Sequence, residues 1–256
     1  MEFRERIELS GTPFPNPLPR PAEEIIHYFK KYGYIFDDHG RYIALDQVYS
    51  QNRYDKIVEL IKNNNLDVKT RHSIWPIYEE EDYEKADLLT LLFPDLWVDG
   101  IDFEYICSAC KKKSIKLNYN VRVSRIKASK PIVTINGQFS IVNKKLKEII
   151  EENLNGGWFY PFDEENKYYY LSSNTHLGNI LLKKEETINL GEKCTECGIP
   201  KFDMFFGPLR YSAKNWNDED IVRGEFYDNV LFSKKAYNLL KEFEKEIQRN
   251  DIVLLE

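Results

Sequence analysis

Four thiols offer chemistry in this sequence, and they come as two pairs, Cys107-Ser-Ala-Cys110 and Cys194-Thr-Glu-Cys197. No other cysteine is present. Two thiols separated by two residues sit on one tight turn, where both sulfurs face a single ion, and two such turns complete a tetrahedral four-thiolate shell. The spacing points to a structural Zn2+ site made by Cys107, Cys110, Cys194 and Cys197. Gly198 supplies the left-handed residue that the second turn needs. Lys111 stands at the matching place in the first turn, and with Lys112 and Lys113 it offsets part of the negative charge of a zinc tetrathiolate. A redox pair is a second reading, but it needs a helix starting at the first thiol. Gly198 and Pro200 oppose a helix there. Structural disulfides are a third reading and require an oxidising compartment. A catalytic zinc does not fit four thiolates, which leave no open position for water.

Little else in the chain carries a catalytic signature. His27, His39, His72 and His176 are scattered, with no HExxH spacing. There is no GxSxG, Walker loop or GxGxxG, and no pair of carboxylates stands out as acid and base. No catalytic or cofactor-binding residue is assigned, and the chain is expected not to be an enzyme. A net charge of −6 argues against a protein that coats nucleic acid through its phosphates. The average hides a polarity, since residues 77–104 hold ten Asp or Glu and one Lys, whereas 105–147 hold eleven Lys or Arg and no acid. Two solvated faces that pair with each other, or a partner site, would each produce this pattern. The charged opening MEFRERIELSG lacks an apolar signal region and no stretch reaches membrane-span length, so a cytoplasmic protein with no membrane contact is expected.

These thiols must be held by a scaffold, and the pattern predicts an α+β fold of mixed helices and antiparallel strands. A strand runs through Leu9. Pro13, Pro15, Pro17, Pro19 and Pro21 alternate in a polyproline-like arm, expected to pack along its own domain. A helix follows with Ile25, Tyr28, Phe29 and Tyr32 on one face, stopped by Gly33. Two strands, YIF and RYIAL, flank a turn at Asp37-Asp38-His39-Gly40. A second helix carries Tyr54, Ile57, Val58 and Ile61, and residues 79–92 read as a third, acidic at its start and ended by Pro94. Strand alternation covers 115–123, another strand begins at Ile132, and Asn136-Gly137 signals a hairpin turn. The expected division is 1–76, an N-terminal arm and helical region, and 77–256, a zinc-binding α+β region.

One stretch answers another ninety positions later. Ile141-Val142-Asn143-Lys144-Lys145-Leu146 corresponds to Leu231-Phe232-Ser233-Lys234-Lys235-Ala236, with Asn143 and Ser233 placed to cap helices that bury Ile149 and Ile150 or Leu239 and Leu240. Strand-like runs WFYPF and DIVLL follow, and Pro131-Ile132-Val133 and Asp220-Ile221-Val222 precede. With the knuckles 87 positions apart, the pattern predicts a duplicated unit, about 101–162 and 191–256, with YYYLSSN and NILL as added strands.

Two distant CxxC knuckles, the second reading CTECG, together with the DIVRGEFYDNVLFSKKAYNLL stretch, resemble the bacterial double-CXXC motif proteins, some of which are similar to immunity proteins of polymorphic toxin systems. The likeness covers about the C-terminal two-thirds, and Lys111 departs from the glycine after the first knuckle. The resemblance implies a non-enzymatic protein that binds and neutralises a cognate toxin, with zinc as scaffold. An acidic face of 77–104 would plug a basic cleft. The alternative is a zinc-ribbon adapter that touches nucleic acid through the basic 111–130 segment, with Tyr119 for stacking.

Overall fold

The computed structural model describes residues 2–11, 23–39, 42–97, 102–105, 107–109, 113–116, 130–137, 139–163, 165–224 and 230–256. The proline arm, Cys110, Lys111, Lys112, Tyr119 and most of the strand expected at 115–123 lie outside them. Two compact units divide the chain, Met1–Glu79 and Glu80–Glu256.

In the first unit, β1 (Glu2–Gly11) is followed by α1 (Glu23–Lys31), β2 (Asp37–Asp38), β3 (Ile43–Val48), α2 (Arg53–Asn63) and β4 (Val68–Ile77). The strands form an antiparallel sheet of order β2-β3-β1-β4. The period-2 alternation of β1 turns Ile7 and Leu9 into a core with Ile43, Leu45, Phe29 of α1 and Ile57 of α2. The hairpin differs from expectation: Asp37 and Asp38, read as its turn, form β2, and YIF is not a strand. Phe29 attracts Tyr34 and Phe36 into edge-on ring contacts, which takes those residues off the sheet. Glu5 shares the apolar face and is fully buried. Its carboxylate is satisfied by Arg53, by His72 Nε2 at 2.9 Å and by the Ser50 N–H at 3.3 Å. Burying a carboxylate without such partners costs several kcal/mol, so His72 has a structural employment.

The second unit opens with α3 (Glu80–Lys85) and then, contrary to the expected 79–92 helix, β5 (Leu88–Leu92). The run Leu-Leu-Thr-Leu-Leu has no helical or strand period of its own, and pairing on both sides decides its state. After it come β6 (Asp95–Leu96), β7 (Asp102–Tyr105), β8 (Lys113–Lys116), β9 (Ile132–Ile135), β10 (Phe139–Asn143), α4 (Lys144–Asn153), β11 (Gly157–Pro161) and β12 (Tyr168–Ser173). The remainder is β13 (Thr187–Ile188), β14 (Met204–Phe205), β15 (Leu209–Tyr211), β16 (Ile221–Arg223), β17 (Val230–Phe232), α5 (Lys234–Phe243) and β18 (Gln248–Leu255). The class is α+β, and no helix among the described residues is long and apolar enough to cross a membrane.

Two five-stranded sheets, β11-β12-β10-β9-β6 and β15-β18-β5-β17-β16, enclose a core that α4 and α5 both enter. The YYYLSS run, expected as an addition, is the inner strand β12, and NILL is not a strand. Within NILL, Ile180 is buried and the Leu181 N–H donates to Arg210 O at 2.8 Å.

The same local geometry occurs twice. Asn143 Oδ1 accepts from the Leu146 N–H at 2.8 Å, and Ser233 Oγ from the Ala236 N–H at 3.1 Å. The Asn143 N–H donates to Pro131 O and the Ser233 N–H to Asp220 O, both at 2.8 Å. Ile132 faces Val142 and Val133 faces Ile141, as Ile221 faces Phe232 and Val222 faces Leu231. Leu146 and Ile150 are buried on α4, Ala236 and Leu240 on α5. Ile149 and Leu239, expected to be buried as well, are half-buried. Asn143→Ala and Ser233→Ala are each expected to cost about 1 kcal/mol by urea denaturation, because each leaves first-turn N–H groups without an acceptor.

A bulge between Arg249 and Ile252 places Asp251 beside Thr90 of β5. Desolvation there raises the Asp251 carboxyl above its ordinary value, against the opposing hydrogen bond from Thr90. An acid raised by folding is penalised as pH climbs through its unfolded value and is unpenalised below it. Asp251→Asn is therefore expected to raise the melting temperature at pH 7 and to leave it nearly unchanged near pH 3.

Candidate metal centre

Cys107, Cys194 and Cys197 lie in the segments that link paired antiparallel strands. Cys107 follows β7, which is antiparallel to β8 with Tyr105 facing Lys113. The second pair lies between β13 and β14, with an inner bridge from Lys193 to Pro200. In the second hairpin the Cys194 N–H donates to Ile199 O and the Gly198 N–H to Cys194 O, both at 2.8 Å. Gly198 takes φ 72°, the left-handed conformation expected of it, and residues 195–197 form a turn with no helix.

The two hairpins bring Cys107, Cys194 and Cys197 together, with all three sulfurs within 4.8 Å of one another. Among the described residues this is the single cluster of three or more metal-ligating side chains. Cys107 Sγ lies 3.7 Å from Cys194 Sγ. A tetrahedral zinc with bonds of about 2.3 Å requires sulfurs about 3.8 Å apart, so the donor set and its spacing fit a thiolate-bound metal ion. Cys107 and Cys194 are buried and Cys197 is half-buried. The N–H groups of Cys197 and Glu196 point at the Cys194 sulfur and pull its thiol down to about 7. Glu196 bridges the hairpins from the other side: its Oε2 accepts from the Ser108 hydroxyl at 3.1 Å and lies 3.5 Å from Cys107 Sγ.

The second hairpin is anchored by groups that no sequence pattern marks. A 3-10 turn, Lys184–Glu186, leads into β13, and the buried Glu186 pairs with the buried Arg210 of β15. Arg210 Nε lies 3.1 Å from Glu256 Oε1, and Lys183 Nζ is 3.2 Å from the same oxygen. Gly207 has no room for a side chain, since a Cβ there would overlap the Glu186 carboxylate.

The charge polarity is partly consumed inside the chain. Glu80 forms a two-pronged pair with Arg249 at 2.7 and 2.6 Å, and Glu81 pairs with Lys85 at 2.6 Å. Lys130, at the end of the basic segment, pairs with Glu244 at 3.3 Å and Glu246 at 2.8 Å. The acidic start of 79–92 thus serves α3 and its tie to β18. Where β5 leaves one sheet and β6 enters the other, a cleft of about 430 Å³ opens. Thr90, Thr134, Ser140 and Asn250 line it with polar groups, and the one carboxylate among its described lining residues, Asp95, accepts from the Gly137 N–H at 3.0 Å. Among the described lining residues this carboxylate has no basic neighbour to form an acid–base pair with.

Comparison of the chain with protein-family models, with curated proteins and with solved structures found no match.

Proposed function

We propose that this is a non-enzymatic, zinc-stabilised protein-binding protein of the immunity kind, which holds a cognate bacterial toxin. The convergence of Cys107, Cys194 and Cys197 from hairpins 87 positions apart carries the proposal. Four thiolates, with Cys110 as the fourth, would close the coordination shell and give the metal a scaffolding role. In the same reading the metal-binding region is a duplicated α+β unit, supported by the paired caps and matched strand registers. Binding is assigned to the sheet edge formed by β11, where Trp158 and Tyr160 stand exposed. Large aromatics of this kind dominate the energetics of protein interfaces.

The test is to produce the chain with and without the product of its neighbouring gene. A complex that co-purifies and relieves toxicity is the expected result, and Trp158→Ala should weaken it by about 2 kcal/mol. Absence of both binding and relief removes the proposal. Retention on a single-stranded oligonucleotide, lost when Lys111, Lys112 and Lys113 are replaced, would move the function to nucleic acid instead.

A further inference from the structure

We infer that residues 88–161 and 168–255 are two copies of one unit that dock as the protomers of a dimer would, each with its first strand in the other's sheet. The elements run in the same order in both copies. The first reads β5, β6, a knuckle-bearing hairpin, β9, β10, α4, β11. The second reads β12, a bridge at His176, a knuckle-bearing hairpin, β16, β17, α5, β18, with β15 inserted before β16 as an addition that the first copy lacks.

Apart from β15, which is added outside β18, corresponding strands also have corresponding neighbours, but across copies. β12 lies between β10 and β11, with Tyr169 opposite Val142 and Pro161. β5 lies between β17 and β18, with Leu89 opposite Phe232 and Ile252. From each of these strands the chain crosses at once to the other sheet. Asp95 then pairs in parallel with Thr134, and His176 in parallel with Arg223. The Thr134 N–H donates to Pro94 O at 2.8 Å, and the Arg223 N–H donates to Thr175 O at 2.9 Å. An unrelated strand filling a gap in the second sheet would have no reason to be followed by this matched crossing.

The packing has the same two-fold logic. The core between the sheets takes Ile132 with Ile221, Val142 with Phe232, Leu146 with Ala236, and Ile150 with Leu240. Where one copy has the larger side chain the other has the smaller, Phe232 against Val142 and Leu146 against Ala236, so the total volume is kept. Outer faces correspond too, with Val133, Ile141 and Tyr168 in one satellite core and Val222, Leu231 and Leu88 in the other. The surface that each unit presents therefore fits a second copy of itself, and one chain supplies both.

Two measurements on the full chain test this. A protease site placed between Glu165 and Asn166, in the exposed turn joining β11 to β12, allows the folded protein to be nicked. The two pieces are expected to co-elute as one species in native buffer and to separate only when denatured, because each lacks a central strand. Pieces that part in native buffer, or that each melt cooperatively alone, overturn the inference. Independently, Leu89→Ala should speed hydrogen exchange at Leu231, Phe232 and Val253 by roughly 30-fold or more, with a smaller effect at Ile132 and Val142. Leu171→Ala should show the reverse. Effects confined to the copy that carries the substitution refute strand exchange, whatever the fate of the metal or the partner.

Discussion

Replacing Cys194 by serine is expected to take the zinc content from about one ion per chain to none and to destabilise the second unit by several kcal/mol. The magnitude follows from the scale of structural zinc sites, where apparent binding free energies of about 10–16 kcal/mol are also folding free energy. A serine hydroxyl is a poor ligand for zinc, and the Cys107 sulfur 3.7 Å away would lose its shared partner. Metal analysis and thermal melting with and without chelator check the result: chelator should lower the melting temperature of the parent protein to that of the variant and leave the variant unmoved. Unchanged metal content and melting would remove the site. The same behaviour in Cys110→Ser would identify the fourth thiolate. Acid should act in the same direction. The Cys194 thiol is lowered from its ordinary 9.0 to about 7, so the stability it lends the metal-free fold is fully present above pH 9 and is lost as pH falls through about 7.

Glu186→Ala is the second large effect. It leaves the buried Arg210 guanidinium with the Pro208 carbonyl and the half-exposed Glu256 beside it, and breaking one side of a buried pair costs about 3–5 kcal/mol. Because Glu186 sits at the entry to β13, the loss should also loosen the second hairpin and weaken metal retention. Urea denaturation and a competition titration with a chelating dye measure the two consequences together. The double variant Glu186→Ala/Arg210→Met should lie closer to the parent than Glu186→Ala alone, since it removes the stranded charge. Equal stability of Glu186→Ala and the parent would show that water reaches Arg210.

What could be read from the sequence was what is decided locally. The caps at Asn143 and Ser233 are short-range devices, and both form as their residue types require. The cysteine spacing is equally local, and it pointed to the three sulfurs that converge. Leu88–Leu92 reads as the end of a helix but forms a strand, because its leucines carry no period and its neighbours β17 and β18 lie about 140 to 165 positions further on. Ile180 and Leu181 look like strand residues, yet one hydrogen bond to Arg210 is all the pairing the Leu181 N–H receives. Glu5, Glu186 and Arg210 are single charged residues whose burial follows only from tertiary placement, so no spacing announces them.

The position of β5 between β17 and β18 has a consequence for the chain while it is being made. Synthesis at about 5–20 residues per second leaves Leu88–Leu92 waiting roughly 10–30 s before the last residue of β18 is added. During that time an uncharged, leucine-rich segment has neither of its native neighbours, which is the condition under which nascent chains associate wrongly. The flanks answer this hazard: Glu79, Glu80, Glu81, Asp82, Glu84 and Asp87 come just before the segment, and Pro94 and Asp95 just after it. Charges and a proline beside an unavoidable apolar strand act as gatekeepers against aggregation. The acidic run thus protects the unfinished chain, and then, through Glu80 and Arg249, holds β18 once the wait is over.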